Sequence, residues 1–275
     1  MSGKSILITG CSSGIGYDAA HGMRRAGWRV FAACRKAEDC ARLQAEGFEA
    51  PLLDYADEGS IHAALREVLE ATGGTLDALF NNGAHGLPGA VEDLPTDALR
   101  AIFETNFFGW HTLTRAVIPV MRGQGGGRIV QCSSVLGLVT LPLLGAYNAT
   151  KFALEGLTDT LRGEMKGTGI EVILIEPGPV TSRIRVNSIP HFEQWIDWES
   201  SARVQQYRDK LLPRLYHASG KDRFELAPHA VTQKLIHAVT HPRPRPRYYV
   251  TVPTHFAGLC RRLLPTRALD WVVNR

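Results

Sequence analysis

The chain has 275 residues, 44% hydrophobic and 21% charged, with 27 glycines and 15 prolines. This is ordinary globular composition with length for one large core, and it excludes collagen-like, low-complexity and small disulfide-stapled classes. The net charge of +4 is uneven: seven Arg and one Asp from His241 to Arg275 give +6, leaving −2 (4 − 6) for the first 240 residues, which speaks against a nucleic-acid-binding body and gives the tail a surface role.

The cysteines are Cys11, Cys34, Cys40, Cys132 and Cys260, an odd set with no Cys-x-x-Cys pair. No secretory pattern precedes the first strand, so free thiols in a reducing cytosol are expected. No run of 18 apolar residues occurs, so no membrane span is expected.

In chain order, Ser5 to Thr9 reads as a strand buried on both faces. It runs into Gly10, Gly14 and Gly16, and a helical pattern follows from Ile15 to about Ala26. Strand, glycine turn and helix form the context of a phosphate-binding turn: the backbone can approach a pyrophosphate, and the helix start offers free N–H groups. Trp28 to Ala33 is the second strand. It ends in Cys34, Arg35 and Lys36, without the acid that would hold a ribose 2′-hydroxyl. Two cations there suit a 2′-phosphate, so Arg35 and Lys36 favour NADP(H) over NAD(H).

A third strand is expected from Gly47 to Leu53, ending at Asp54, and a helix from Asp57 to Ala71. Leu76 to Phe80 is a fourth strand, followed by the turn residues Asn81, Asn82, Gly83 and Ala84 at a carboxyl strand end. One long helix is expected from about Asp97 to Met121, with Asn106 among apolar neighbours. Gly127 to Cys132 is a fifth strand ending in Ser133 and Ser134, and Ile170 to Ile175 a sixth. The segment 182–225 reads as irregular and rich in aromatics (Phe192, Trp195, Trp198, Tyr207, Tyr216). A helix from Pro228 to Val239 and a last strand from Tyr248 to Val252 precede a basic extension, 253–275. Alternating strands and helices predict a single α/β domain, a Rossmann-type doubly wound parallel sheet of about seven strands.

Between the fifth and sixth strands, Tyr147 and Lys151 stand four apart on one helix face. A free tyrosine has a pKa of about 10. An ammonium about 4 Å away favours the phenolate by up to about 4 kcal/mol at an effective dielectric of 20, which would lower that pKa by up to about three units. Such a pair is also an ordinary helix-surface arrangement, and it takes its meaning from the rest of the chain.

Together these pieces resemble the short-chain dehydrogenase/reductase family, over nearly the whole chain from Lys4 to about Val252. Gly10, Gly14 and Gly16 match the family's glycine turn, with Ser12, Ser13 and Ile15 inside it. Asp54 matches the acid that bonds the adenine, and Asn81 to Ala84 the Asn-Asn-Ala-Gly motif with its last two residues exchanged. Ser134, thirteen residues before Tyr147, has the spacing of the catalytic serine, and Asn106 falls where the family has an asparagine that holds a water. Pro177 and Gly178 match the turn beside the nicotinamide. Val180, Thr181 and Ser182 follow it, and either hydroxyl of the last two could bond the carboxamide.

The resemblance implies an oxidoreductase that moves hydride between the nicotinamide and a carbinol or carbonyl carbon. Tyr147 would be the general acid/base, Lys151 its pKa partner and ribose ligand, Ser134 the donor orienting the substrate oxygen, and Asn106 the water holder. Cofactor contacts would come from Gly10 to Gly16, Arg35, Lys36, Asp54, Asn82 to Ala84, Tyr147, Lys151 and Pro177 to Ser182; no metal is expected. The sequence after Lys151 and the C-terminal extension look like the hydroxysteroid and retinol dehydrogenase branch, and the aromatic segment motivates a lipophilic small-molecule substrate. A homodimer or homotetramer follows from the same resemblance. The alternative of another class is a non-catalytic NADP(H)-binding redox sensor. The Arg- and Leu-rich tail adds an expectation of reversible contact with an anionic membrane surface.

Overall fold

In the first strand (β1, Ser5–Thr9), Ile6, Leu7 and Ile8 are fully excluded from solvent, as a strand covered on both faces requires. The computed structural model describes residues 3–217 and 223–273; the remaining parts of the expected 182–225 segment and 253–275 extension lie outside them. β1 pairs in parallel with β2 (Arg29–Ala33) and with β3 (Ala78–Asn81). The sheet continues through β4 (Gly127–Cys132), β5 (Ile170–Glu176) and β6 (Arg247–Tyr249) in the order β2-β1-β3-β4-β5-β6, all parallel. The strand order reverses between β1 and β3, the crevice where open parallel sheets bind ligands.

Between the strands run α1 (Gly14–Arg25), α2 (Ala37–Ala45), α3 (Glu58–Thr72), α4 (Thr96–Phe103), α5 (Gly109–Gly123) and α6 (Gly145–Glu164). Local chemistry sets their ends. Asp57 caps α3 by accepting from the Ser60 N–H at 3.2 Å, and Gly73 closes it in the left-handed region at φ 70°. After β5 come α7 (Ile184–Trp195), the short α8 (Val204–Gln206) and α9 (Leu212–Tyr216), then α10 (His229–Thr240), α11 (Val252–Leu263) and α12 (Thr266–Val273). α10 approaches α1 so closely that a Cβ on Gly22 would lie 2.2 Å from the Thr232 methyl.

Four local differences from expectation have physical causes. The strand expected at 47–53 forms only isolated parallel bridges, Phe31 to Glu49 and Cys34 to Leu52, on the outer side of β2. Pro51 supplies no N–H there, and Gly47 enters at φ 83°. The helix expected from Asp97 to Met121 is interrupted by a π-helical turn, Glu104–Phe108, centred on Asn106. The last strand stops at Tyr249, because Thr251 caps α11 and Pro253 starts it. The segment after Ser182 is helical in α7 despite Pro190.

Candidate active site

The carboxyl ends of β1, β3, β4 and β5 open onto one cavity of about 1170 Å³. At its floor, Gly10 and Gly14 take positive φ angles of 68° and 58°. A Cβ on Gly10 would sit 2.5 Å from the Gly83 Cα, and one on Gly16 would sit 2.3 Å from the Gly10 oxygen. Only glycine lets this turn lie against the Asn82–Gly83 turn. Ser13 begins α1 with no side-chain cap, so the first N–H groups of α1 are directed at the cavity wall formed by Ser12, Ser13, Gly14 and Ile15. A dinucleotide pyrophosphate fits this cradle on geometry and dipole.

The expected adenosine contacts lie off that wall. Arg35 is exposed at the end of β2, with no hydrogen-bond partner among the described residues, while Lys36 is paired with Glu38 at 3.4 Å. Asp54 spends Oδ1 on the Ala56 N–H at 3.0 Å. Gly16 and Asn106 are also absent from the cavity wall. Asn106 is fully buried, and its side chain clamps the backbone of His85, accepting from His85 N at 3.1 Å and donating to His85 O at 2.8 Å. The π-turn interrupts the helix where this side chain turns inward, and the amide of Asn106 fixes the Asn81–His85 turn.

Tyr147, Lys151 and Ser134 all line the cavity. Lys151 is 1% exposed; its Nζ donates to the Cys132 main-chain oxygen at 2.8 Å and lies 4.5 Å from the centre of the Trp110 ring and 5.6 Å from that of Tyr147. Burial pushes the lysine down to about 8, with Cys132 and Glu155 acting the other way. The Tyr147 phenol moves opposite to expectation: burial raises it, Cys132 adds to the rise, and the Ser134 hydroxyl lowers it. The ammonium is committed to the Cys132 carbonyl and faces the ring, so desolvation outweighs its pull. Ser134 Oγ also accepts from Leu136 N at 3.1 Å, which fixes it beside the phenol.

On the opposite wall, Pro177, Gly178, Val180, Thr181 and Ser182 follow β5 into the cavity. A Cβ on Gly178 would meet the Thr251 Oγ1 at 2.1 Å, so glycine is required for β5 and the start of α11 to meet. The Thr181 hydroxyl is bonded to Glu225 at 2.5 Å, whereas Ser182 leans over the phosphate turn, its Cβ 3.3 Å from where a Gly14 Cβ would be.

The aromatic residues expected to line a substrate pocket do not touch it. Phe192 and Tyr207 are buried behind the cavity wall in a cluster with Ile102 and Leu211, joined by the partly buried Trp195 and Trp198, and Tyr207 bonds Asp93 at 2.7 Å. They hold the cover, α7 to α9, together. The apolar wall comes instead from Leu141 to Leu144, Pro88, Leu211 and Leu215. Leu143 has φ 63°, the one positive φ outside glycine among the described residues, a strained turn of the kind found at ligand sites. An apolar Leu-Pro-Leu-Leu run just before the Tyr147 helix was the available sequence signal. No sequence signal pointed to the His85–His191 stack, 3.8 Å between ring centres, which ties α7 to the Asn82–Ala84 turn.

Sheet order and glycine cradle are those of a Rossmann-type oxidoreductase fold that binds a nicotinamide cofactor, and Ser134, Tyr147 and Lys151 meet in its cavity. A family profile described as short chain dehydrogenase matches residues 4–191, and the chain belongs to that family. It is 39% identical over 271 residues to an uncharacterized oxidoreductase, YbbO, of Escherichia coli, covering 98% of this chain and 94% of the relative. It is 29% identical over 272 residues to an NADPH-dependent 3-dehydrocapnine reductase of Ornithobacterium rhinotracheale, covering 96% and 94%. Among solved structures, a short-chain dehydrogenase/reductase of Burkholderia phymatum in complex with NAD superposes with a TM-score of 0.78 at 28% identity, covering 99% of this chain and 95% of that one.

Proposed function

We propose that the protein interconverts an alcohol and a carbonyl with NADP(H), on a lipophilic substrate held against Leu141 to Leu144. The observation that carries this reading is the convergence of Ser134, Tyr147 and Lys151 on one cavity with the glycine turn. When bound, the nicotinamide supplies or takes the hydride. Tyr147 holds the proton of the substrate oxygen: a phenol raised by burial is protonated at neutral pH, the state needed to donate in the reducing direction. Ser134 orients that oxygen. Lys151 places a positive charge beside the phenol and reaches toward the ribose side of the cavity. Asn106 acts by holding the His85 backbone, and Ser182, with its hydroxyl uncommitted, is the stronger candidate for the carboxamide. Gly10, Ser12 to Gly16, Asn82 to Ala84 and Pro177 to Val180 cradle the cofactor, and Asp54 Oδ2 takes the adenine.

The preference for NADP rests on Arg35, which is exposed at the end of β2 with no hydrogen-bond partner among the described residues. The named activity of the Ornithobacterium relative is in keeping with it. Consumption of NADPH across aldehydes, ketones, steroids and retinoids tests the activity against the non-catalytic alternative.

The tail supports a further part of the reading, contact with an anionic lipid surface. No helix among the described residues is long and apolar enough to cross a membrane. On α11, however, Val252, Phe256, Leu259 and Leu263 are 54–70% exposed at spacings of four, three and four, one stripe of the helix. Arg261, Arg262 and Arg267 are exposed around it, and Val273 of α12 reaches the cavity wall. A two-fold contact through this face would bring two sets of these arginines together, whereas acidic headgroups would neutralise them. A dimer or tetramer would then use a different face.

A further inference from the structure

Tyr147, Lys151, Glu155 and Asp159 follow one another at four-residue intervals along α6, so one face carries a phenol, an ammonium and two carboxyls in line. Glu155 is 7% exposed, and of the two carboxyls only that of Asp159 reaches solvent. Two strands close over this face. Glu176 at the end of β5 is fully buried, and Arg247 at the start of β6 enters between the acids.

Arg247 Nη1 bonds two carboxyls at once, Oε2 of Glu155 and Oε1 of Glu176, the latter at 2.6 Å. Its Nη2 bonds Asp159 Oδ2 at 2.5 Å, and Asp159 Oδ1 takes Arg162 at 2.7 Å. The other oxygens, Glu155 Oε1 and Glu176 Oε2, are buried with no partner among the described residues, as is Ser133 Oγ. Ser133 Oγ and Glu155 Oε1 crowd the same spot, 2.8 and 3.1 Å from where a Cβ on Gly137 would sit. Two carboxylates sharing one donor nitrogen in a dry interior repel each other, and two unpartnered oxygens raise the cost of keeping both charged. A single proton relieves both.

We propose that Glu155 and Glu176 hold one proton between them beneath Lys151, and that its release in alkaline medium keeps Lys151 charged. The inference rests on the reading of Lys151 as the charge partner of Tyr147. The charged and titratable groups around the acids are Lys151 and Asp159 on α6, Arg162 through Asp159, Cys132 at the end of β4, and Arg247 and Tyr249 on β6, with the Ser133 hydroxyl beside Glu155. Burial first, then Glu155, pushes Glu176 up to about 8 against the pull of Arg247. Burial also raises Glu155, against the neighbouring Ser133 hydroxyl and Arg247, and brings Lys151 down to about 8. Acid pair and lysine therefore titrate in the same range. The negative charge gained by the pair appears where Lys151 would otherwise lose its proton. Glu155 and Glu176 are thus positioning residues that act through Lys151.

Infrared difference spectra of the folded protein between about pH 7 and about pH 10, with the pH profile of kcat/KM for carbonyl reduction, test this. The wild type should show a protonated-carboxyl C=O band near pH 7 that vanishes near pH 10, and Glu155→Gln and Glu176→Gln should each lack it. In both variants the alkaline limb should move down by about one pH unit. A folded wild type without the band near pH 7, or variants whose limb stays put while only stability falls, would overturn the proposal. The band needs neither turnover nor a variant that folds, so it decides this inference even if no substrate is found, a result that would count against the proposed function instead.

Discussion

Lys151 Nζ donates to the main-chain oxygen of Cys132 at 2.8 Å, so the lysine on α6 is anchored to the carboxyl end of β4, two residues before Ser134. The same burial that fixes it lowers its pKa from 10.5 to about 8. Reduction needs the lysine charged and the phenol protonated, so kcat/KM for reduction should fall in alkaline medium, above about 8. The sign for stability is opposite. A lysine whose folded value is depressed contributes stability that is present above about 10.5 and lost as pH falls through about 8. Lys151→Met should remove that contribution to the pH dependence of Tm while abolishing turnover; an unchanged Tm profile would show that Lys151 is not the buried group titrating there.

Arg35 controls cofactor choice in this account. Arg35→Asp replaces attraction for a 2′-phosphate by repulsion. Loss of one charge-assisted bond of about 1.5–3 kcal/mol predicts a fall of roughly tenfold or more in the ratio of specificity constants, NADP over NAD. An unchanged ratio would transfer the role to Lys36 or to the glycine turn.

Gly178 stands where β5 meets the start of α11. Gly178→Ala would drive a methyl into the Thr251 hydroxyl, at 2.1 Å, and into that of Thr254, at 2.7 Å. We expect a lower Tm and a higher KM for the cofactor, both partly recovered in Gly178→Ala/Thr251→Ala, since the two changes share one contact. Strict additivity in thermal melts would mean that this contact is not the source of the defect.

The reach of the sequence follows how local each feature is. The glycine turn and the Tyr147–Lys151 pair were legible because strand-to-helix order and four-residue helical spacing place them, and Ser134 was legible only through the family resemblance. Arg247 was not, because its partners Glu155 and Glu176 lie 92 and 71 residues away and only the parallel pairing of β5 with β6 brings them together. The π-turn at Asn106 was hidden by an uninterrupted helical pattern. The aromatics after Ser182 suggested a substrate wall, but composition cannot tell a wall from the core of a cover; Tyr207, fully buried with its hydroxyl on Asp93, belongs to the core.

The exposed stripe of α11 predicts sedimentation with anionic vesicles at low salt and release at high salt, because each surface-held arginine adds about 1 kcal/mol that salt screens. Phe256→Ser/Leu259→Ser should reduce that binding without loss of NADPH turnover on a water-soluble aldehyde. Equal, negligible binding to anionic and neutral vesicles, together with a change of oligomeric state in the double variant, would make this face a subunit contact.

The central claim is that Tyr147 moves the proton while the rest of the cavity holds the cofactor. The most direct measurement sets turnover of a carbonyl substrate found in the NADPH screen beside NADPH affinity by fluorescence titration, in wild type and Tyr147→Phe. Removing the hydroxyl alone should lower kcat by at least about a hundredfold, the range for loss of a general acid–base, with the dissociation constant for NADPH nearly unchanged. Turnover close to that of the wild type in Tyr147→Phe would contradict the account.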